Sequence, residues 1–256
     1  MPLNRREFLN LAAAGVATGL LATTTSTHAA TESKIKAIAF DAFPIFDPRP
    51  VFALAEQLFP GKGAELSNAW RTRQFEYQWL RVLSRQYVDF WQTTEDSLVF
   101  AAELLKLDLT SDKRKKLMDA YLELKAWPDV PPALELLKNA GTRLALLSNA
   151  TPKILDAGIQ HAGLGNIFEH VLSTDKIKTY KPDPRAYQMA VDAFGLKKEE
   201  ILFVAFAGWD AAGAKSFGYT TFWVNRLNLP AERLGVSPDG VGQNLKDLVG
   251  FVKALR

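Results

Sequence analysis

The 256-residue chain is predicted to be an α/β protein, an open parallel sheet with an all-helical insertion after its first strand. Three observations predict it. Short apolar runs recur from Arg143 to Val224 with helix-length segments between them, and strands connected in that way pair in parallel. A run of the same kind, Ile35 to Phe40, stands far upstream and ends on an acid, Asp41. The stretch between, Val51 to Lys125, has helical spacing and no strand-like alternation.

The first strand is too short and too rich in β-branched and aromatic residues to be a helix. Asp47-Pro48-Arg49-Pro50 follows as a stiff turn, because each proline fixes its own backbone and disfavours helix in the residue before it. Within the helical stretch, Phe59-Pro60-Gly61-Lys62-Gly63 and Leu109-Thr110-Ser111-Asp112 read as breaks. Trp70, Gln74, Tyr77 and Arg81 fall on one helix face, and Arg71, Phe75 and Gln78 on the next. Rings at such spacing are the usual filler of helix interfaces. Trp127 to Pro132 is the return linker. The remainder alternates: helix Pro132 to Asn139, strand Arg143 to Leu147, helix Pro152 to His161, strand His170 to Leu172, helix Pro184 to Phe194, strand Ile201 to Phe206, helix Asp210 to Phe217 and strand Thr220 to Val224. The implied division is a core of residues 34–47 and 131–256 with a cap of residues 48–130.

Composition sets outer limits. With 48% hydrophobic and 23% charged residues the chain can bury a sizeable core, and a net charge of +3 spread without Lys/Arg blocks argues against nucleic acid as a partner. The absence of cysteine excludes thiolate catalysis and Cys-ligated zinc. Residues 1–30 differ in kind: Arg5-Arg6 precedes Phe8-Leu9, an Ala-rich apolar stretch and a small-residue tail, the pattern of an export signal of the twin-arginine type. The expected location is therefore periplasmic, with the twin-arginine translocon as a transient partner. The apolar stretch is shorter than the roughly 20 residues a membrane span requires.

Polar residues collect where the core strands end. Asp41 closes the first strand, Ser148-Asn149 the second, Tyr180-Lys181-Pro182-Asp183 follows the third and Trp209-Asp210 the fourth. In a parallel sheet these ends share one edge, the edge that borders the ligand crevice. Singly, each has a local explanation: Asp41 as a loop cap, Ser148 and Asn149 as caps of the next helix, Lys181 as a solvated lysine, Asp210 as the N-cap of its own helix. Together they argue for one active site.

In this order the motifs resemble the haloacid dehalogenase superfamily, and more closely the type II (S)-2-haloacid dehalogenases. The likeness runs from about Ile35 to the C-terminus and includes, in the cap, Phe59 to Gly63 and the string Trp70 to Arg81. It implies a Rossmann-like parallel-sheet core with an inserted α-helical cap domain. It also implies hydrolysis of short 2-haloalkanoic acids to 2-hydroxy acids through an aspartyl ester, with neither metal nor organic cofactor. Asp41 would be the nucleophile, Arg71 would receive the halide, and Ser148 with nearby backbone amides would hold the substrate carboxylate. Lys181 would keep Asp41 ionised. Asp210 would orient Lys181 or activate water, Tyr187 matches an active-site tyrosine of the family, and Phe43, Asn149 and Trp209 would shape the pocket. A homodimer through the aromatic cap helices is compatible with this reading.

The residues themselves separate this branch from phosphatases of the same fold. Those enzymes need an acid two positions after the nucleophile to protonate the leaving oxygen, and Mg²⁺ to neutralise phosphate. Here that position is Phe43, which transfers no proton, whereas a departing halide needs none. Two departures from the family pattern stand out. Its Gly-Thr-Leu after the nucleophile motif is shortened to Pro44-Ile45, and its Ser-x-Asn before Trp-Asp reads Ala205-Phe206-Ala207. Losing one such polar group can cost about a hundredfold in rate. The alternatives are thus a periplasmic carboxylate-binding relative without turnover, and, against Phe43, a Mg²⁺-dependent phosphatase. His161 and His170 are too isolated for a metal site.

Overall fold

In the computed structural model, which describes residues 35–255, six parallel strands lie in the order β3-β2-β1-β4-β5-β6. These are β1 (Ala37–Phe40), β2 (Arg143–Ser148), β3 (His170–Ser173), β4 (Ile201–Ala205), β5 (Thr220–Val224) and β6 (Gly240–Gly242). β1 is central, with Phe40 opposite Leu146 of β2 on one side and Val204 of β4 on the other. Successive strands are added outward from β1 on one side and then, from β4, on the other. The order therefore reverses beside β1, and the carboxyl ends at such a reversal form the crevice of an open α/β sheet. Asp41 sits there.

All four residues of β1 are buried, as expected for a strand covered on both faces. Alternation sorts the strands into two layers. Ile38, Phe40, Leu144, Leu146, Leu202 and Val204 face a core shared with α5 (Val130–Asn139), α6 (Pro152–His161) and α9 (Leu245–Ala254). Ala37, Ala39, Ala145, Leu147, Phe203 and Ala205 face the opposite core, with α7 (Pro184–Phe194) and α8 (Gly208–Phe217).

Between β1 and α5 come α1 (Arg49–Leu58), α2 (Gly63–Leu83), α3 (Phe90–Leu104), α4 (Ser111–Asp119) and a short 3-10 turn. The chain leaves and returns through paired backbone: Asp47 N–H donates to Lys125 O at 2.8 Å and Trp127 N–H to Ile45 O at 3.0 Å. Both expected breaks mark helix junctions, the first running into α2 at Gly63 and the second into α4 at Ser111. Thr110 caps α4 by accepting from Lys113 N–H, and the Glu56 carboxylate collects the amides of Gly61 and Gly63. Gly63 is required there, since a Cβ would stand 2.2 Å from the Glu56 backbone. Pro50 is tolerated because the first helical turn needs no N–H from it.

The structure departs from the sequence reading in two places. α8 begins at Gly208, so Asp210 lies inside its first turn rather than capping it, and its carboxylate is free to face the crevice. Beyond Val224, where the sequence reading assigns nothing, the structure adds β6 and α9. β6 is three residues with glycine at both ends, too short for a periodic signal. α9 carries Leu245, Leu248, Val249 and Val252 at helical spacing after the N-cap Asn244, a signal the sequence does contain.

Candidate active site

Asp41 follows the last residue of β1, and its amide is tied to Val204 O at 2.9 Å, so the adjoining strand fixes where its carboxylate starts. Oδ1 accepts from Lys181 Nζ at 2.8 Å, and Oδ2 accepts the Phe43 amide at a longer 3.3 Å. Lys181 also donates to Asp210 Oδ2 at 2.6 Å, and Tyr187 donates its hydroxyl to Asp210 Oδ1 at 2.8 Å. The result is a chain, Asp41-Lys181-Asp210-Tyr187, in which Lys181 and Asp210 are each 1% exposed and Tyr187 is fully buried. The Lys181 ammonium also lies 5.0 Å from the Phe203 ring centroid.

Buried charges must be paired or shift. Burial pulls the Lys181 ammonium toward neutrality, but the charges of Asp210 and Asp41 outweigh it, so the lysine stays protonated above its ordinary range. Burial raises Asp210 to about 6, with Asp41 adding repulsion and Lys181 opposing both. Tyr187 is held well above the ordinary tyrosine range by burial and then by the adjacent Asp210 charge, so it acts as a hydrogen-bond donor. A sign follows. Above about pH 6 Asp210 is a carboxylate accepting from both Lys181 and Tyr187; below it, the added proton removes one of those acceptor positions. Turnover is expected to fall as pH drops through about 6, and a kcat that stays flat to about pH 5 would contradict this.

Asn149 has a different task from lining alone. Its Oδ1 accepts the Lys181 amide at 2.8 Å and the Thr174 hydroxyl at 3.3 Å, while Nδ2 donates to Gln78 Oε1 at 2.8 Å. It therefore fixes the backbone that carries the lysine and links it to α2. Ser148 is 1% exposed, and its oxygen accepts the Ala150 amide at 3.2 Å, leaving its proton to donate. Of the amides expected beside Ser148, Ala150 N–H goes to Ser148 itself and Ile154 N–H to Thr151, and Pro152 has none.

Asp41, Ser148, Asn149, Lys181, Asp210 and Trp209 line one small cavity of about 30 Å³, together with Phe43, Phe75, Gln78 and Phe206. Arg71 lies elsewhere. It lines an adjoining apolar cavity of about 450 Å³, its guanidinium carbon 6.0 Å from the Phe52 ring centroid. Phe43, Phe75 and Phe206 belong to both walls, with Phe43 and Phe206 centroids 6.1 Å apart. The sequence-derived residues thus assemble around Asp41 with the exception of Arg71, which stands in the neighbouring space behind shared aromatic rings. Trp209 packs edge-on against Phe75 and Trp79 at 5.2 and 5.4 Å.

The structure shows what surrounds the two departures from the expected motif. Trp127 Nε1 donates to Phe43 O, and Arg226, paired with Asp129, donates to Pro44 O, each at 3.0 Å. These clamp the shortened loop. Ala205 packs into the apolar layer, and Lys181 holds its place between two carboxylates without polar help from positions 205 or 207. Trp127, Arg226 and Gln78 are neighbours of the site that sequence reasoning did not single out for a role there. Only Gln78 had a signal, sharing a helix face with Arg71.

Gly213 makes this packing fit, because a Cβ there would stand 2.5 Å from the Tyr187 hydroxyl and 2.7 Å from Pro182 Cβ. Gly213→Ala is expected to cost about 1–3 kcal/mol and to lower kcat by displacing Tyr187 from Asp210. Urea unfolding and steady-state kinetics check both; a variant unchanged in both measurements would show that the contact is slack.

A family model described as haloacid dehalogenase-like hydrolase matches residues 17–218. An (S)-2-haloacid dehalogenase of Pseudomonas sp. (strain YL) is 45% identical over 216 residues, 84% of this chain and 93% of that protein. A crystal structure of an L-2-haloacid dehalogenase superposes with a TM-score of 0.84 at 44% identity, over 86% of this chain and 99% of that one. The L-2-haloacid dehalogenase of Xanthobacter autotrophicus with chloropropionic acid covalently bound superposes with a TM-score of 0.80 at 32% identity, over 87% of this chain and all of that one (100%).

Proposed function

The chain belongs to the haloacid dehalogenase-like hydrolases, and on that premise we propose that it hydrolyses short 2-haloalkanoic acids to 2-hydroxy acids through an ester on Asp41. The observation that carries this is the Asp41 carboxylate at the sheet's switch point, 2.8 Å from a buried ammonium, with a phenyl ring where a phosphatase would need an acid.

Oδ2 is the less engaged oxygen of Asp41 and attacks carbon 2 of the substrate. The carbon–halogen bond breaks with its electron pair on the halide, and an ester to Asp41 remains. Because the Asp41 cavity has room for only about two waters, a bound acid spans both spaces through the shared aromatic wall, which brings the halide toward the Arg71 side. A guanidinium presents its donors in a fixed planar fork, which suits a departing anion. Water then attacks the carboxyl carbon of Asp41. Asp210, ionised above about pH 6, takes its proton or holds Lys181 while it adds. Cleavage of the bond between that carbon and the ester oxygen, with the proton taken from the water passed to that oxygen, restores the carboxylate and releases the 2-hydroxy acid.

The test is halide release from (S)-2-chloropropionate and haloacetates with and without chelator, alongside a chromogenic phosphate ester with and without Mg²⁺. Halide release indifferent to chelator supports the proposal, and Mg²⁺-dependent phosphate release without halide release would refute it. Ala205 and Ala207 favour one competing reading, a carboxylate-binding relative, which predicts calorimetric binding of short carboxylates and no halide. Residues 1–30 lie outside the described residues. We propose that they direct export, so that converting Arg5-Arg6 to Lys-Lys retains the protein in the cytoplasmic fraction.

A further inference from the structure

We propose that Gln78 is a substrate-binding residue whose Nε2 donates a hydrogen bond to the carboxylate of the bound acid. This rests on the dehalogenase reading only in naming that acid. The amide orientation follows from a backbone donor. Lys181 N–H can only donate, so the Asn149 atom facing it is the oxygen, and the Asn149 nitrogen faces Gln78. The Gln78 atom that meets it is therefore Oε1, which leaves Nε2 pointing away from Asn149.

Gln78 is 0% exposed, its Nε2 has no partner, and it lines the cavity of Asp41, Ser148 and Lys181. A buried amide donor left unpaired is costly, and such a group at a binding cavity calls for an acceptor from the ligand. An anion fits this corner for two reasons. The cavity holds two carboxylates and one ammonium, so a substrate carboxylate needs uncharged donors that leave Lys181 to its partners. Beside Ser148, the Ala150 amide is held by Ser148 itself and the Ile154 amide by Thr151, and Pro152 has none, so the Ser148 hydroxyl and Gln78 Nε2 are two uncharged side-chain donors this corner can offer.

Two variants separate donation from support of Asn149. Gln78→Met removes both functions, while Gln78→Glu keeps an oxygen for Asn149 and removes the donor. Propionate and (S)-lactate binding by calorimetry, with KM and kcat for (S)-2-chloropropionate, are the readouts. Both variants are expected to weaken carboxylate binding and raise KM by about 10- to 100-fold, the pattern of a lost hydrogen bond to a charged group, with kcat falling further in Gln78→Met, which also frees Asn149, than in Gln78→Glu. Unchanged affinity in both would mean that Nε2 meets water and would overturn the proposal. A loss confined to Gln78→Met would overturn it too, by assigning the effect to Asn149. If Gln78→Met fails to fold, the neutral Gln78→Leu takes its place: weaker binding in both the neutral variant and Gln78→Glu supports the proposal, and unchanged binding in either overturns it, since the charge added by Gln78→Glu would weaken carboxylate binding by itself. Absence of halide release by the unaltered protein would count against the hydrolase reading alone, since carboxylate affinity is read separately.

Discussion

Asp41→Asn is expected to lower halide release by a factor on the order of 10⁴ or more while leaving the fold intact, because a nucleophile that forms the covalent bond has no substitute in its own step. The amide is isosteric, and its oxygen can still accept from Lys181 Nζ, now 2.8 Å from Oδ1. What is lost is the lone pair that attacks carbon 2. The substitution also removes one of the two negative charges beside Lys181, and with it the repulsion from Asp41 that helps hold Asp210 near 6. Asp210 is thus expected to titrate lower in the variant. Halide assay, thermal melting and titration of Asp210 by NMR check the three parts, and a variant with a tenth or more of the original rate would remove Asp41 from the chemistry.

Lys181→Met is the second large effect, and it falls on stability as well as activity. The side chain is 1% exposed and joins two carboxylates at 2.8 and 2.6 Å, so deleting the cation leaves like charges facing each other out of water. Breaking a buried pair by removing one partner costs about 3–5 kcal/mol, far more than a surface ion pair is worth. The pH dependence has a definite sign. Asp210 is already raised to about 6, chiefly by burial, with Lys181 pulling it down. Without the lysine its folded-state value rises further, the folded protein binds a proton that the unfolded chain releases, and stability falls as pH rises through that window. The variant is therefore expected to be most destabilised above about pH 6 and to recover partly in mild acid, with no halide release at either pH. Urea unfolding at two pH values decides it, and an unfolding midpoint equal to that of the unaltered protein at neutral pH would contradict the buried triad.

The parts of this site legible in the sequence are those set by local pattern. An apolar run ending in an acid located β1 and Asp41, and the same logic found Ser148, Lys181 and Asp210 at neighbouring strand ends, because a parallel sheet brings all its carboxyl ends to one edge. Helix boundaries marked by proline or glycine, such as Pro152, Pro184 and Gly218, read directly. What was not legible depends on pairing across long separations. Gln78 meets Asn149 71 positions away, and Arg226 reaches Pro44 across 182. No periodicity encodes such contacts. The position of Arg71 behind Phe43, Phe75 and Phe206 is of the same kind: the helix face was readable, but the rings that stand at its front come from three separate segments.

A single turnover in ¹⁸O-labelled water, with enzyme in excess over haloacid, tests the covalent role of Asp41 most directly. If water opens the ester at the Asp41 carboxyl carbon, the peptide containing Asp41 gains the heavy oxygen and the hydroxy acid from that first turnover stays unlabelled. Label in the hydroxy acid with none in the peptide would mean that water attacks the substrate itself, and Asp41 would lose its place as nucleophile.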